Sequence, residues 1–185
     1  AFVGDNGVEL LQGGDELFPA MQRALATARR QVWLASYIFH DDEAGQALIE
    51  ALRAVARRGV EVQVLVDGFG SMASLPALRR ALAADGVQLD VFRPLERWSA
   101  WLQPAQLRRL HHKLCVVDDA VAFVGGINVL DDCNAPEHDV PLAPRFDYAV
   151  RVEGPLVARV HATVRHVWRL VRWARLGRRP PPPPR

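Results

Sequence analysis

Residues 111–128, HHKLCVVDDAVAFVGGIN, most strongly restrict how this 185-residue chain can fold. Two apolar runs of strand length flank a central Asp-Asp pair, which is a turn signal, so the pattern predicts a β-hairpin. Folding back about residues 119–120 sets Asn128 opposite His111. His111 and Lys113 share one face of the first strand, because side chains alternate along a strand. The hairpin therefore predicts an imidazole, an ammonium group and a carboxamide at one end of a sheet.

Composition draws attention to Lys113, because the chain contains 22 arginines and this single lysine. A lysine ammonium is a compact point charge with three rotatable donors, unlike the planar fork of arginine. Gly125 and Gly126 follow in the same stretch and allow the backbone to bend or to approach a ligand closely. We therefore expect Lys113 to hold an anion, with the two glycines contacting the bound substrate.

The rest of the chain alternates strand and helix patterns before the hairpin and adds one strand and one long helix after it. This order favours an α/β fold with a mixed, mostly parallel sheet and right-handed crossovers, flanked by helices. Ligands bind beyond the carboxyl ends of the strands in such sheets. The predicted strands are 7–12, 31–39, 60–66, 87–92 and 146–152, and the predicted helices are 16–30, 44–58, 76–84 and 155–176.

Length and composition predict one domain over residues 1–176, followed by an Arg/Pro-rich tail or linker over 177–185. Two cysteines give no disulfide framework and fit a reducing compartment. No apolar run reaches the length of a transmembrane helix, and no signal peptide is visible. The segment 93–110 has no regular pattern and contains two tryptophans. We expect it to form either a lid beside the His111–Lys113 cluster or a simple packed loop.

Charge is distributed unevenly along the chain. Residues 151–185 contain nine arginines and one acid, a net charge of +8, so the other 150 residues carry −6. A basic end on an acidic body indicates an anionic surface as a partner. Four arginines lie at steps of three and four on the last helix, which also fits a sheet-packing helix with solvated arginines. They are Arg165, Arg169, Arg172 and Arg175.

The central stretch has the pattern H-x-K-x4-D-x6-G-G-x-N, which resembles the HKD motif of the phospholipase D superfamily. Its form with two glycines is similar to that of the bacterial cardiolipin synthases. Further segments resemble the N-terminal half of those enzymes, in the same order along the chain. They are GVELLQGGDELFPAMQRAL, YIFHDDEAGQALIEAL, RRGVEVQVLVDGFGS and DYAVRVEGP. The resemblance covers about residues 6–170 and implies the phospholipase D-like α/β sandwich.

The resemblance also implies a chemistry, namely phosphatidyl transfer through a covalent phosphohistidine. His111 would attack the lipid phosphorus, while Lys113 and Asn128 would hold its non-bridging oxygens. The expected substrate is phosphatidylglycerol with a second lipid alcohol as acceptor, and no metal or cofactor is required. The expected location is peripheral, on the cytoplasmic side of the bacterial inner membrane.

Two carboxylates are assigned different roles. Asp118 is a fixed position of the motif, yet it lies seven residues from His111, roughly 20 Å along a strand. It is therefore expected to lock the turn rather than to touch the reacting phosphate. Asp147 on the next strand corresponds to a carboxylate of the family and is the candidate that orients His111, the alternative being an ordinary surface charge.

The sequence departs from the family in one important respect. Cardiolipin synthases carry two HKD motifs, and a chain with one lysine cannot contain a second. The partner would be a second HKD half in the same longer chain, which the polyproline stretch 180–184 favours, or a second copy in a homodimer. A non-catalytic membrane-associated half is another possibility.

Other activities and sites also fit parts of the sequence. A phosphodiesterase or nuclease and a hydrolytic phospholipase D use the same side chains, although the acidic body argues against nucleic acid as a partner. The polar run 40–43, His-Asp-Asp-Glu, contains metal-ligating side chain types. It is better explained as a solvated loop that caps the following helix.

Overall fold

The computed structural model of the chain describes residues 4–94, 109–133 and 144–175. These residues form a seven-stranded sheet with helices on both faces. Most of the predicted lid and the whole Arg/Pro-rich tail lie outside the described residues. The elements are β1 (Gly7–Gln12), α1 (Gly13–Thr27), β2 (Gln31–Ser36), α2 (Glu43–Arg57), β3 (Glu61–Asp67), α3 (Leu75–Ala83), β4 (Gln88–Phe92), β5 (Leu114–Val117), β6 (Val121–Gly125), β7 (Tyr148–Glu153) and α4 (Leu156–Arg175).

The strands follow the order β1-β7-β6-β5-β2-β3-β4. The pairings β2–β3 and β3–β4 are parallel, and the other four are antiparallel. The mixed sheet flanked by helices is therefore confirmed. Five of its seven strands run in the same direction, although only two of its six neighbouring pairs are parallel. Helix α1 connects β1 to β2, α2 connects β2 to β3, and α3 connects β3 to β4. In contrast, β5 and β6 form a hairpin, and β7 pairs antiparallel with both β6 and β1.

The two faces of the sheet bury separate hydrophobic cores, and β5 contributes to both. Cys115 and Val117 pack with α1, α2 and α3. Leu114 and Val116 point the other way and pack with α4. The continuous apolar run of this strand is explained by burial on both faces.

The β5–β6 hairpin forms as predicted, but its register is shifted by one residue. Leu114 pairs with Val124 and Val117 with Val121, so the turn takes three residues instead of two. Both aspartates of that turn adopt positive φ angles, 54° and 59°, in the left-handed region. The predicted pairing of His111 with Asn128 is therefore wrong, because both lie beyond the ends of the ladder.

Helix α4 lies across one face of the sheet, with its apolar stripe buried and its basic residues outward. Val157, Val164, Trp168 and Val171 are buried against the strands. The arginine row faces outward, and Arg175 forms an ion pair with Asp90 on β4. Packing on the sheet therefore coexists with a cationic outer surface.

Candidate active site

His111 and Lys113 lie just before β5, at the end of the sheet where β2 and β3 also finish. His111 is exposed, whereas Lys113 is buried with 8% of its surface accessible. The Nζ atom of Lys113 lies 3.1 Å from both ring nitrogens of His111. The ammonium group is thus equally close to each ring nitrogen that could act as a nucleophile. A phosphorus atom bonded to either nitrogen would therefore lie close to a positive charge.

The surroundings of Lys113 disfavour its charge. Burial lowers the pKa of its ammonium group below the ordinary value, and the negative charge of Asp147 opposes this shift. Its side chain borders a small cavity lined mainly by apolar groups, among them Phe18, Met21, Cys115 and Ile127. A cation with so little solvent gains strongly from an anionic ligand.

Tyr37, just after β2, contacts both members of the pair. Its ring centroid lies 5.1 Å from that of His111 and 5.3 Å from Nζ of Lys113. Tyr37 is not among the site residues predicted from the sequence. Its position at the carboxyl end of a buried strand could have indicated it, because ligands bind beyond the carboxyl ends of strands in such sheets.

Asn128 belongs to a short bridge that joins the end of the hairpin to the loop after β2. The main-chain N–H of Ile38 donates to Oδ1 of Asn128 at 3.1 Å, and Phe39 bridges to Val129. Since the carbonyl oxygen is engaged, the NH2 group is what remains to donate to a ligand. Asn128 is thus fixed beside Tyr37, whose ring contacts the His–Lys pair.

Asp147 precedes β7 and packs against the loop after β6. Its Oδ1 accepts from the N–H of Tyr148 at 2.8 Å, and its charge acts on Lys113. Among the described contacts there is no hydrogen bond between Asp147 and His111. The orienting role for Asp147 therefore stays a prediction, and the negative charge of Asp147 favours the ammonium form of Lys113.

The two glycines permit this close approach of β7. A Cβ atom on Gly126 would lie 2.1 Å from Oδ1 of Asp147, and one on Gly125 would lie 2.4 Å from Cα of Ala149. Both positions therefore require glycine for packing alone. Contact of Gly125 or Gly126 with substrate stays a prediction.

Asp118 is not part of this cluster, since it lies at the opposite end of β5 from His111. Its carboxylate accepts from the main-chain N–H groups of Arg29, Arg30 and Gln31, at 2.7, 2.8 and 2.9 Å. Partial burial is the largest single influence on its pKa and raises it. The three donors and the Arg30 charge together outweigh burial, so the pKa of Asp118 lies below its ordinary value. This geometry fits the expected turn-locking role.

Asp67, at the end of β3, is also not among the site residues predicted from the sequence. Its side chain is fully buried, and Oδ1 accepts from Phe69 and Gly70 while Oδ2 accepts from Leu110 at 2.7 Å. Leu110 immediately precedes His111. The signal in the sequence is the Asp-Gly-x-Gly turn, where an aspartate commonly binds the backbone ahead of it.

The polar run 40–43 is explained by capping. Asp42 accepts from Gly45 at the start of α2 and from the main-chain N–H of Asp131. In the described parts of the chain, no group of three or more His, Cys, Asp or Glu residues is arranged to hold a metal ion.

Comparison with known proteins shows the family to which this chain belongs. A family model described as cardiolipin synthase, phospholipase D-like domain, matches residues 21–140, which include the His–Lys pair and Asn128. The chain belongs to the phospholipase D-like cardiolipin synthase family. Cardiolipin synthase B of Salmonella typhi is 40% identical over 157 residues, which cover 84% of this chain and 37% of that protein. Cardiolipin synthase A of Pseudomonas fluorescens SBW25 is 37% identical over 167 residues, covering 90% and 34%.

This member of the cardiolipin synthase family thus spans about a third of the length of the curated relatives it matches. Those relatives are bacterial proteins. The resemblance inferred from the motif and the ordered segments is confirmed. Among the described helices, none is long and apolar enough to cross a membrane.

Solved structures confirm the phospholipase D-like fold. The phospholipase D family member Nuc from Salmonella typhimurium matches with a TM-score of 0.64 at 18% identity, covering 89% of this chain and 95% of that one. Phosphatidylserine synthase from Haemophilus influenzae also matches with a TM-score of 0.64, at 16% identity, and covers 89% and 36%. At such identities these likenesses concern the fold.

Proposed function

We propose that this chain is the N-terminal catalytic half of a cardiolipin-synthase-like phosphatidyltransferase that works through a phosphohistidine at His111. The observation that carries the proposal is the Nζ atom of Lys113, held 3.1 Å from both ring nitrogens of an exposed histidine. An accessible imidazole with a buried ammonium beside it suits attack on a phosphodiester anion.

The reaction has two displacements. A ring nitrogen of His111 bonds to the phosphorus of phosphatidylglycerol while the bond from phosphorus to the glycerol oxygen breaks. Lys113 neutralises negative charge on the non-bridging oxygens, and the NH2 group of Asn128 donates a hydrogen bond to them. The hydroxyl of a second phosphatidylglycerol then displaces the histidine, which forms cardiolipin and frees the ring. A general acid on the partner half protonates the departing glycerol and later accepts the proton of the incoming hydroxyl.

A second half is part of the proposal, because one lysine permits only one HKD motif. The face of the sheet that carries α4 is left partly uncovered at β1 and β7. Val8 and Leu10 are each 64% exposed on β1, Tyr148 is 44% exposed on β7, and Phe146 just before β7 is 82% exposed. An apolar strip of this kind is typical of a protein contact surface. We infer that the second HKD half covers it, either within one longer chain or as a second copy.

The partner surface is proposed to be anionic phospholipid. The arginine row on α4 points away from the sheet, and basic residues gain free energy beside anionic headgroups. Attachment would be peripheral, on the cytoplasmic side of the bacterial inner membrane.

The test uses the full-length parent protein and phosphatidylglycerol vesicles, with cardiolipin and free glycerol as the measured products. We expect both products from the wild type and neither from His111→Ala. His166→Ala, which removes a histidine of α4, is the matched control and should retain activity. A folded parent that forms neither product, or a His111→Ala variant that retains transfer, would overturn the proposal. Glycerol and phosphatidic acid without cardiolipin would identify a hydrolytic phospholipase D instead.

A further inference from the structure

We propose that Tyr37 is a positioning residue of this site, whose ring holds Lys113 in its charged form against His111. The role deepens the proposed phosphatidyl transfer, since it concerns the group that neutralises the lipid phosphate. No motif in the sequence indicates it, and the geometry alone carries it.

The first observation is that one ring contacts both chemical groups. The Tyr37 ring centroid lies 5.3 Å from the ammonium nitrogen of Lys113, within the range of a cation–π interaction. It also lies 5.1 Å from the His111 ring, with the two planes tilted by 44°. A shift of this ring would therefore change the surroundings of both side chains at once.

The second observation is that the backbone of Tyr37 is fixed by a buried serine. Oγ of Ser71 donates to the carbonyl oxygen of Tyr37 at 3.1 Å and accepts from the N–H of Phe39 at 3.0 Å. Ser71 is 1% exposed. The residue that contacts the His–Lys pair is therefore held by a buried hydrogen-bonded bridge rather than by a free loop.

The third observation is that the ring and the HKD strand share an anchor. A Cβ atom on Gly70 would lie 3.0 Å from two carbons of the Tyr37 ring, so the ring rests directly against this glycine. Asp67 binds the N–H of Gly70 through one oxygen and that of Leu110, just before His111, through the other. Asp67 and Gly70 therefore connect the Tyr37 ring to the segment that carries His111.

The charges around Lys113 show why the ring matters. Burial disfavours its ammonium form, the carboxylate of Asp147 favours it, and the positive charge of Lys113 in turn disfavours protonation of the neighbouring His112. The side of the cavity formed by α1 is apolar. The electron-rich face of the Tyr37 ring adds a favourable interaction that an aliphatic side chain of similar size cannot supply.

The test follows the Lys113 ammonium group by NMR in the full-length parent protein. In protein labelled with ¹³C,¹⁵N-lysine, the Lys113 signal is the one that Lys113→Arg removes, and its titration measures the pKa of Lys113. In Tyr37→Leu we expect this pKa to fall by about half a unit or more, because the cation–π contact is lost and burial is kept. In Tyr37→Phe, which retains the ring, we expect the pKa to stay close to the wild-type value.

An unchanged or higher pKa in Tyr37→Leu would overturn the proposal. So would equal falls in both variants, since the hydroxyl rather than the ring would then be responsible. If Tyr37→Leu does not fold, the wild type is tested instead. We then expect nuclear Overhauser contacts between the Lys113 methylenes and the Tyr37 ring, and their absence would overturn the proposal. None of these measurements requires activity, so failure of the proposed transfer reaction is recognised separately.

Discussion

The buried carboxylate of Asp67 accepts a 2.7 Å hydrogen bond from the main-chain N–H of Leu110, which lies 43 residues away in sequence. Its second oxygen receives the N–H groups of Phe69 and Gly70. One side chain therefore joins the loop after β3 to the residue before the nucleophile His111. One oxygen accepts from the loop after β3 and the other from Leu110. Both oxygens must therefore be hydrogen-bond acceptors if the two segments are to stay joined.

Replacing Asp67 with asparagine should therefore weaken the fold and loosen the site. One oxygen becomes an NH2 group that faces a main-chain donor, which leaves a buried N–H without an acceptor. We expect the free energy of unfolding, measured in urea, to fall by about 1–3 kcal/mol. Hydrogen exchange should show faster exchange of the Leu110 or the Gly70 amide.

Asp15→Asn is the control for this substitution, because Asp15 is exposed on α1. It should change the free energy of unfolding by less than about 0.5 kcal/mol. If Asp67→Asn unfolds at the wild-type urea concentration, with both amides still protected, the anchoring role is refuted.

Asp118 should contribute to stability rather than to chemistry. Its carboxylate caps three successive main-chain N–H groups at the start of β2, and its φ of 54° is one that asparagine tolerates well. Asp118→Asn should therefore lower the free energy of unfolding by about 1–2 kcal/mol near neutral pH, without backbone strain. Asp5→Asn is a matched control, because Asp5 is exposed and its φ is 60°.

The pH dependence of this effect has a definite sign. The pKa of Asp118 is lowered in the folded protein, so its contribution is complete above the unfolded pKa and is lost as pH falls through the folded pKa. The gap between wild type and Asp118→Asn in urea unfolding should be widest near neutral pH and shrink in acid. A gap that is constant or that grows in acid would contradict the ionic cap.

The fold could be predicted from sequence where the hydrophobic period was clear, and the register could not. The two apolar runs of the hairpin are unambiguous. An Asp-Asp pair predicts a turn, however, without indicating that the turn has three residues or that both aspartates adopt positive φ. That one extra residue moved the predicted pairing. The antiparallel placement of β7 beside β6 and β1 is also set by tertiary packing, which local patterns do not record.

The candidate site also contains residues that the sequence indicates and residues that it does not. His111, Lys113 and Asn128 could be proposed from the sequence because they share one local motif. Tyr37 and Asp67 were missed because they reach the motif from β2 and β3, through contacts across 76 and 43 residues of chain. Long-range side-chain contacts of this kind leave no periodic trace in one sequence.

The last prediction concerns the arginine row of α4 and its binding to anionic phospholipid. Replacing the exposed Arg165 and Arg169 with glutamine removes two positive charges from the outer face of the helix, while its buried stripe stays intact. We expect binding to phosphatidylglycerol vesicles to weaken about tenfold or more at low salt, because each basic residue near an anionic surface contributes about 1 kcal/mol. Co-sedimentation with vesicles of increasing phosphatidylglycerol content measures the change.

Arg79 and Arg80 supply the matched control, since both are exposed on α3, on the opposite face of the sheet. Their double glutamine variant carries the same net charge as the α4 variant, so a general charge effect would weaken both equally. Added salt should reduce the difference between the wild type and the α4 variant, because exposed charges are screened. Equal vesicle affinity for the two double variants, at low and at high salt, would show that α4 does not face the membrane.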